Sequence, residues 1–314
     1  NLPQLFLITM FLREQQCKTL LNISDYTPPN RFGYACPEQR SSEKLHEECA
    51  GKYQSPIAIS CNKAVPLNMP AIDMTGYRNL LPTPIKLTNN GHTSTLTQKK
   101  KDLGDFLPYI SGGKLEGIYE VNSLHFHWGD KNNRGAEHIL NDVRYAMEMH
   151  IVHKNTKYKD VPEAMTYSDG LAVMAFFFEM SEFDGPELNV FVKNLPSLKN
   201  ANDAVELGTT FSLHSLISSV DLDRFYTYKG SLTTPPYSEA VTWVIFPDPI
   251  SISLSHLSKF RDLHSSEEDS PLVDNFRNVQ PIGNRRIFVR KVNTQNQSLD
   301  ELDEVHYSKW GWFI

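Results

Sequence analysis

The 314-residue sequence has no CxxC pair, no apolar run long enough to cross a bilayer, no internal repeat and no low-complexity tract. The first absence argues against a thiolate metal site, and the second against a membrane-spanning helix. The last two argue against solenoid and largely disordered architectures. A basic excess is also lacking: 31 Lys and Arg stand against 37 Asp and Glu, a formal charge of −6. Nothing in that balance attracts phosphate backbones, so nucleic acid is set aside as a partner.

What is present suits a globular chain. With 40% hydrophobic, 11% aromatic and 22% charged residues, a sizeable core can be buried. The length exceeds the usual single-domain prior, although β-rich folds of about 200–250 residues form single units. The four cysteines, Cys17, Cys36, Cys49 and Cys61, all fall early in the chain and suit disulfides better than a metal. Two sequons, Asn22-Ile23-Ser24 and Asn296-Gln297-Ser298, suit the same extracellular setting. Leu5-Phe6-Leu7-Ile8-Thr9-Met10-Phe11-Leu12 has the length of a signal-peptide apolar region but no basic leader, and residue 1 is Asn, which suggests a longer precursor. Trp310-Gly311-Trp312-Phe313-Ile314 reads equally as the start of an anchor segment or as surface packing. The expectation is an extracellular protein, secreted or anchored at the cell surface, with a leader over 1–30, one domain over 31–291 and a tail over 292–314. Oligomeric state is not legible.

Runs rich in β-branched and aromatic residues predict strands over 85–87, 123–128, 146–153, 171–178 and 240–246. Apolar residues at helical spacing predict short surface helices over 187–194, near 213–218, and over 253–263. The chain is therefore expected to be mainly β, in the α+β class.

Leu124-His125-Phe126-His127-Trp128 matters because side chains two apart on a strand point to one face, so both imidazoles can converge on one ion. An HxH motif alone is weak. Glu148-Met149-His150 supplies a third imidazole within another β-rich run. Three neutral imidazoles with one position left for water are the set a catalytic zinc requires. Glu148 projects on the same face as His150 and can accept its second N–H, fixing tautomer and orientation.

With those residues in place the sequence resembles the α-class carbonic anhydrases over nearly all of 31–291. The shared stretches are Phe32-Gly33-Tyr34, Gln54-Ser55-Pro56-Ile57, Asn89-Asn90-Gly91-His92, Leu124-His125-Phe126-His127-Trp128-Gly129, Ala136-Glu137-His138, Glu148-Met149-His150-Ile151-Val152-His153, Gly230-Ser231-Leu232-Thr233-Thr234-Pro235-Pro236 and Gln280-Pro281-Ile282-Gly283-Asn284-Arg285. The resemblance implies a single domain around a large, twisted, mostly antiparallel sheet, a Zn2+ cofactor on His125, His127 and His150, and reversible hydration of carbon dioxide to bicarbonate. It implies that Thr233 accepts a hydrogen bond from the attacking hydroxide while donating to Glu137, and that Thr234 lines the same wall. Carbon dioxide is apolar, so its pocket needs apolar walls; Val152, Val173, Leu232, Val241 and Trp243 match the family's wall positions, although each taken singly is ordinary core packing. His92 matches the proton shuttle, a role that suits an imidazole because it titrates near neutrality. Tyr34, Asn90 and Asn284 match the surrounding water and hydrogen-bond network.

Two departures limit the transfer. Where relatives place a glutamine two residues before the first zinc histidine, this chain has Ser123, too short to reach the same nitrogen directly. Cys49 aligns with a cysteine that extracellular relatives pair with one just after the Thr-Thr-Pro-Pro turn, but Tyr237 stands there, so Cys49 is expected to join Cys36 or Cys61. Two rival readings are a catalytically dead binding module of the same fold and a zinc hydrolase acting on activated esters. Dead modules normally lose a zinc ligand, and none is missing.

Overall fold

The computed structural model describes residues 51–98, 106–266 and 270–291. Among them the strands are β1 (Ala58–Ile59), β2 (Val65–Leu67), β3 (Ile72–Thr75), β4 (Ile85–Asn89), β5 (Ser94–Gln98), β6 (Tyr109–Gly112), β7 (Tyr119–Trp128), β8 (Ile139–Leu140), β9 (Met147–Asn155), β10 (Leu171–Ser181), β11 (Ala204–Glu206), β12 (Tyr226–Gly230), β13 (Val241–Ser253) and β14 (Phe288–Arg290). Twelve of them make one sheet, in the order β11-β4-β5-β7-β9-β10-β13-β12-β14-β2, with β6 pairing β7 and β3 pairing β6. Two pairings in it are parallel, β10 with β13 and β14 with β2, and the rest are antiparallel. Strands β1 and β8 form a separate parallel pair. The mainly β, mostly antiparallel single domain expected from the sequence is what the chain builds.

All five predicted strand segments fall on strands. The predicted helix over 187–194 divides into a 3-10 turn, Pro186–Leu188, and one helical turn, Asn189–Val192. Leu213–Leu216 is likewise a 3-10 turn. The helix at Leu254–Arg261 is capped by Ser253, whose hydroxyl accepts the His256 N–H at 3.1 Å.

The central strands carry a layer on each face. Along β10, Ala172, Met174, Phe176 and Phe178 enter the larger apolar cluster, while Leu171, Val173, Ala175 and Phe177 enter a second one on the opposite side. Burial on both faces turns such a strand into a continuous apolar run, which is why Leu171–Ser181 reads so clearly. In the larger cluster, Leu124, Phe126 and Trp128 of β7 meet Met147, Met149 and Ile151 of β9. Period-2 alternation then sends the residues between them, His125, His127, Glu148 and His150, to the other face. The register sets His125 opposite His150 and His127 opposite Glu148.

Phe176 is fully buried and stacks on Phe246 with ring centroids 4.8 Å apart and planes 4° from parallel. Phe176→Ala is expected to cost about 3–5 kcal/mol, read as a lower urea midpoint at unchanged slope; a loss under about 1 kcal/mol would show that the layer closes over the gap.

Candidate metal centre

The three imidazoles sit on neighbouring strands, two on β7 and one on β9, and their ring centroids lie 4.7 to 5.1 Å apart. Each offers one nitrogen to a common point, all within 4.8 Å of one another. His125 Nε2 and His150 Nδ1 are 3.3 Å apart with ring planes at 88°. Two nitrogens about 2.0–2.1 Å from one tetrahedral ion lie roughly 3.3–3.4 Å apart, so this pair already has the spacing of two ligands.

The outward nitrogens are held elsewhere, and that decides which lone pairs face inward. His127 Nδ1 donates to the Asn275 carbonyl at 2.8 Å, and its Nε2 is buried without a hydrogen-bond partner. His150 Nε2 donates to Glu148 Oε1 at 2.7 Å, leaving Nδ1 for the centre. Burial, reinforced by the other two imidazoles, pushes His125 well below the ordinary histidine pKa, and burial likewise lowers His127. Both therefore present neutral nitrogen lone pairs, the form a metal takes. An unpartnered buried imidazole nitrogen is costly, and an ion of zinc's preferences satisfies it.

Glu148 does more than the sequence suggested. Its Oε1 also accepts from His138 Nδ1 at 2.7 Å and its Oε2 from the His138 backbone N–H at 2.8 Å. His138 Nε2 then accepts from Tyr228 Oη at 2.7 Å, and Tyr228 Oη meets Ser55 Oγ at 2.9 Å. Burial pushes the Glu148 carboxyl up, but the His138 and His150 imidazoles and their hydrogen bonds outweigh it and hold it well below the usual carboxylate range. His138, Glu148 and His150 also form a cluster of metal-ligating types. Their hydrogen bonds to one another already occupy the facing atoms, so they orient the first centre and make no second one.

Glu137 is buried beside the triad, with Oε1 3.6 Å from His127 Nδ1 and Oε2 4.0 Å from His150 Nδ1. Oε1 accepts the Arg277 backbone N–H at 2.8 Å, and Oε2 has no hydrogen-bond partner. The expected bond from Thr233 to this carboxylate is therefore not made, although Thr233 is buried. The Arg277 contact accounts for one oxygen only.

Val152, Val173, Val241 and Trp243 share the second apolar cluster, with Leu232 packed against it. Val152 lies opposite both Ser123 and Val173, and Val173 opposite Trp243. The Trp243 ring stands 4.9 Å from His150, edge to face. Thr234 is half-buried, and its carbonyl accepts the Tyr237 N–H at 2.9 Å. No hydrogen bond joins Ser123 to His125, in keeping with its short reach. Tyr237 is buried with the Arg277 guanidinium 4.0 Å from its ring centroid.

His92 is exposed in the loop that enters β5, and Thr95 of β5 lies opposite His125. Asn90 Oδ1 accepts the N–H groups of His92 and Thr93 at 2.9 and 2.8 Å, so its visible work is to shape this loop. Asn284 is exposed in a turn, and among the described residues no hydrogen bond ties it to the histidines. Tyr34 and three of the four cysteines lie outside the described residues; Cys61 lies within them.

Sequence reasoning missed Asn275. Its carbonyl holds His127, its Oδ1 accepts the Trp128 N–H at 2.7 Å, and its Nδ2 donates to the His92 and Phe126 carbonyls at 2.9 and 3.2 Å. One asparagine thus joins the ligand strand to the His92 loop, and nothing in its sequence neighbourhood signals this. His138 was visible beside Glu137, but its bond to Glu148 depends on folding.

His153, three residues after His150, has the opposite parity and points away from the centre. Its Nε2 accepts from Tyr77 Oη at 2.6 Å, and burial lowers its pKa from 6.5 to about 3. Only the unfolded chain then binds a proton there between those values, so stability is full above pH 6.5 and falls with pH below it, by up to about 1.4 kcal/mol per unit. Urea titrations at several pH values should show a pH slope one proton shallower in His153→Gln than in wild type; identical slopes would mean that His153 is protonated when folded.

Comparison with known proteins agrees with this geometry. A family model described as eukaryotic-type carbonic anhydrase matches residues 37–291. Carbonic anhydrase 15 of Mus musculus is 33% identical over 276 residues, covering 86% of this chain and 85% of the relative. Carbonic anhydrase 7 of Homo sapiens is 35% identical over 246 residues, covering 77% of this chain and 90% of the relative.

Proposed function

The chain belongs to the eukaryotic-type carbonic anhydrase family, enzymes that hydrate carbon dioxide reversibly, and from that premise we propose that it works through zinc held by His125, His127 and His150, with His92 as proton carrier. The observation that carries this reading is the convergence of three imidazole nitrogens, one pair at 3.3 Å, with the outward nitrogens of His127 and His150 engaged by Asn275 and Glu148.

Zinc, when bound, supplies a Lewis acid that activates water at neutral pH. The chain's own groups do the rest. A carboxylate can only accept, so the unpartnered Glu137 Oε2 calls for the Thr233 hydroxyl as donor. A hydroxyl that donates there must accept from the attacking water, which aims the water's remaining lone pair at the substrate. Val152, Val173, Leu232, Val241 and Trp243 offer carbon dioxide apolar walls and keep bulk water from the reacting atoms. The Thr233 N–H and Thr234 hold the oxygens of bicarbonate as charge develops on them. His92, exposed on a loop fixed by Asn90 and Asn275, takes the proton released when the next water is activated and hands it to buffer. Ser123 leaves His125 without a long polar partner, an arrangement that lowers metal affinity or turnover without abolishing either.

The extracellular reading rests on the two sequons and on cysteines suited to pairing, Cys49 with Cys36 or Cys61. Among the described residues no helix is long and apolar enough to cross a membrane.

His125→Ala is expected to lose bound zinc and at least 1,000-fold of the hydration rate measured by stopped flow, on the order of a whole catalytic device. Retained hydration in zinc-free His125→Ala would refute the centre. In His92→Ala turnover should fall about tenfold or more at low buffer, on the scale of lost acid–base catalysis, and recover with added imidazole. An unchanged rate at low buffer would make His92 a bystander.

A further inference from the structure

Residues 272–275 run beside the end of β7 and are bonded to it repeatedly. The Leu272 carbonyl accepts the Trp128 Nε1–H at 2.7 Å, and the Asp274 carboxylate accepts the Asp130 N–H at 3.1 Å and the Arg134 guanidinium at 2.6 Å. The Asn275 N–H donates to the Trp128 carbonyl at 3.3 Å, and its Oδ1 accepts the Trp128 N–H at 2.7 Å. The residue is buried, so these bonds fix the plane of its amide. From that place Nδ2 donates to the carbonyls of His92 and Phe126 at 2.9 and 3.2 Å. Other bonds hold the residues on either side of His92. Asn89 Nδ2 donates to the Leu198 and His264 carbonyls at 3.1 and 2.9 Å, the Gly91 carbonyl accepts the Ser266 N–H at 3.3 Å, and Thr93 Oγ1 donates to the Phe126 carbonyl at 2.5 Å. At His92 itself the N–H goes to Asn90 Oδ1, in the same turn, whereas the carbonyl goes to Asn275, in a segment fixed to the strand of the ligands.

We infer that the Asn275 side chain is a positioning residue for proton transfer: its amide sets where the backbone of His92 stands relative to the metal centre. The inference rests on the reading of His92 as proton carrier and adds the group that places the carrier. An exposed imidazole turns about its own side-chain bonds, so what the fold can fix is the backbone from which it turns. With the amide removed, the His92 carbonyl can swing away from β7, and the reach of the ring toward the centre spreads over more positions. Transfer between a carrier and a fixed centre is efficient only over a narrow range of geometry. Asn275 also touches the centre in a second way, through its backbone carbonyl on His127 Nδ1. A side-chain substitution leaves that carbonyl in the chain, so the two roles separate: the carbonyl orients a ligand and the amide places the carrier.

Stopped-flow hydration separates these roles, because kcat includes loss of the proton whereas kcat/KM ends with release of bicarbonate. The proteins compared are wild type, Asn275→Ala, His92→Ala, the variant carrying both changes, and Asn275→Asp, which keeps an acceptor for the Trp128 N–H, replaces the donor, and serves where Asn275→Ala does not fold. At low buffer kcat of the Asn275 variants is expected to fall about fivefold or more, a larger loss than in kcat/KM, and to recover with added imidazole. In the His92→Ala background Asn275→Ala should cost less than about a further twofold, since a group that acts through His92 has nothing left to place. In metal-free protein, hydrogen exchange over residues 90–95 should be faster in the Asn275 variant than in wild type. Unchanged low-buffer kcat, kcat and kcat/KM falling together, losses that multiply in the double variant, or unchanged exchange would overturn the inference. If His92→Ala itself leaves low-buffer kcat unchanged, the carrier reading fails and this inference with it; if His92→Ala is slow and the Asn275 variants are not, only this inference fails.

Discussion

An imidazole has two nitrogens, and only one can face an ion, so the centre depends on what holds the other. In His150 the outward nitrogen donates to Glu148, and in His127 to the Asn275 carbonyl. Each bond fixes a tautomer and a ring plane together. Glu148 is fixed in turn by three contacts to His138 and His150, all within 2.7 to 2.8 Å. A fully buried carboxylate is costly unless its lone pairs are used, and here they are. The arrangement is rigid because no member can rotate without leaving a buried polar atom bare.

That constraint explains the sheet around it. The side of β7, β9, β10 and β13 that carries the histidines also carries Val152, Val173, Val241 and Trp243, because strand register sets them side by side. The opposite side carries the larger apolar cluster, whose packing keeps the strands from slipping. A slip of one residue would turn His125 and His127 into the core and bring Phe126 to the centre. Specificity of register and geometry of the centre are therefore one requirement.

The sequence made the strong parts of this legible. Long central strands buried on both faces, such as Leu171–Ser181, announce themselves as apolar runs, and HxH with a later ExH fixes parity without knowledge of the fold. The short edge strands did not. Val65–Leu67 contains a proline and Ala204–Glu206 only three residues, so neither carries enough periodicity to see. The helix over 187–194 was overestimated because Pro186 and a 3-10 turn take its first part. Asn275 and Tyr228 were illegible for another reason: their partners lie 90 to 183 residues away, and such pairing has no local signature. The relay from Thr233 to Glu137 came from resemblance alone, and the structure supplies its acceptor, Glu137 Oε2, without the bond.

The measurement closest to the central claim is zinc-edge X-ray absorption on wild-type protein reconstituted with one equivalent of zinc. The account predicts three imidazole nitrogens and one further light atom at about 2.0–2.1 Å. A sulfur shell near about 2.3 Å, fewer than three imidazoles, or a fourth imidazole closing the shell would contradict it.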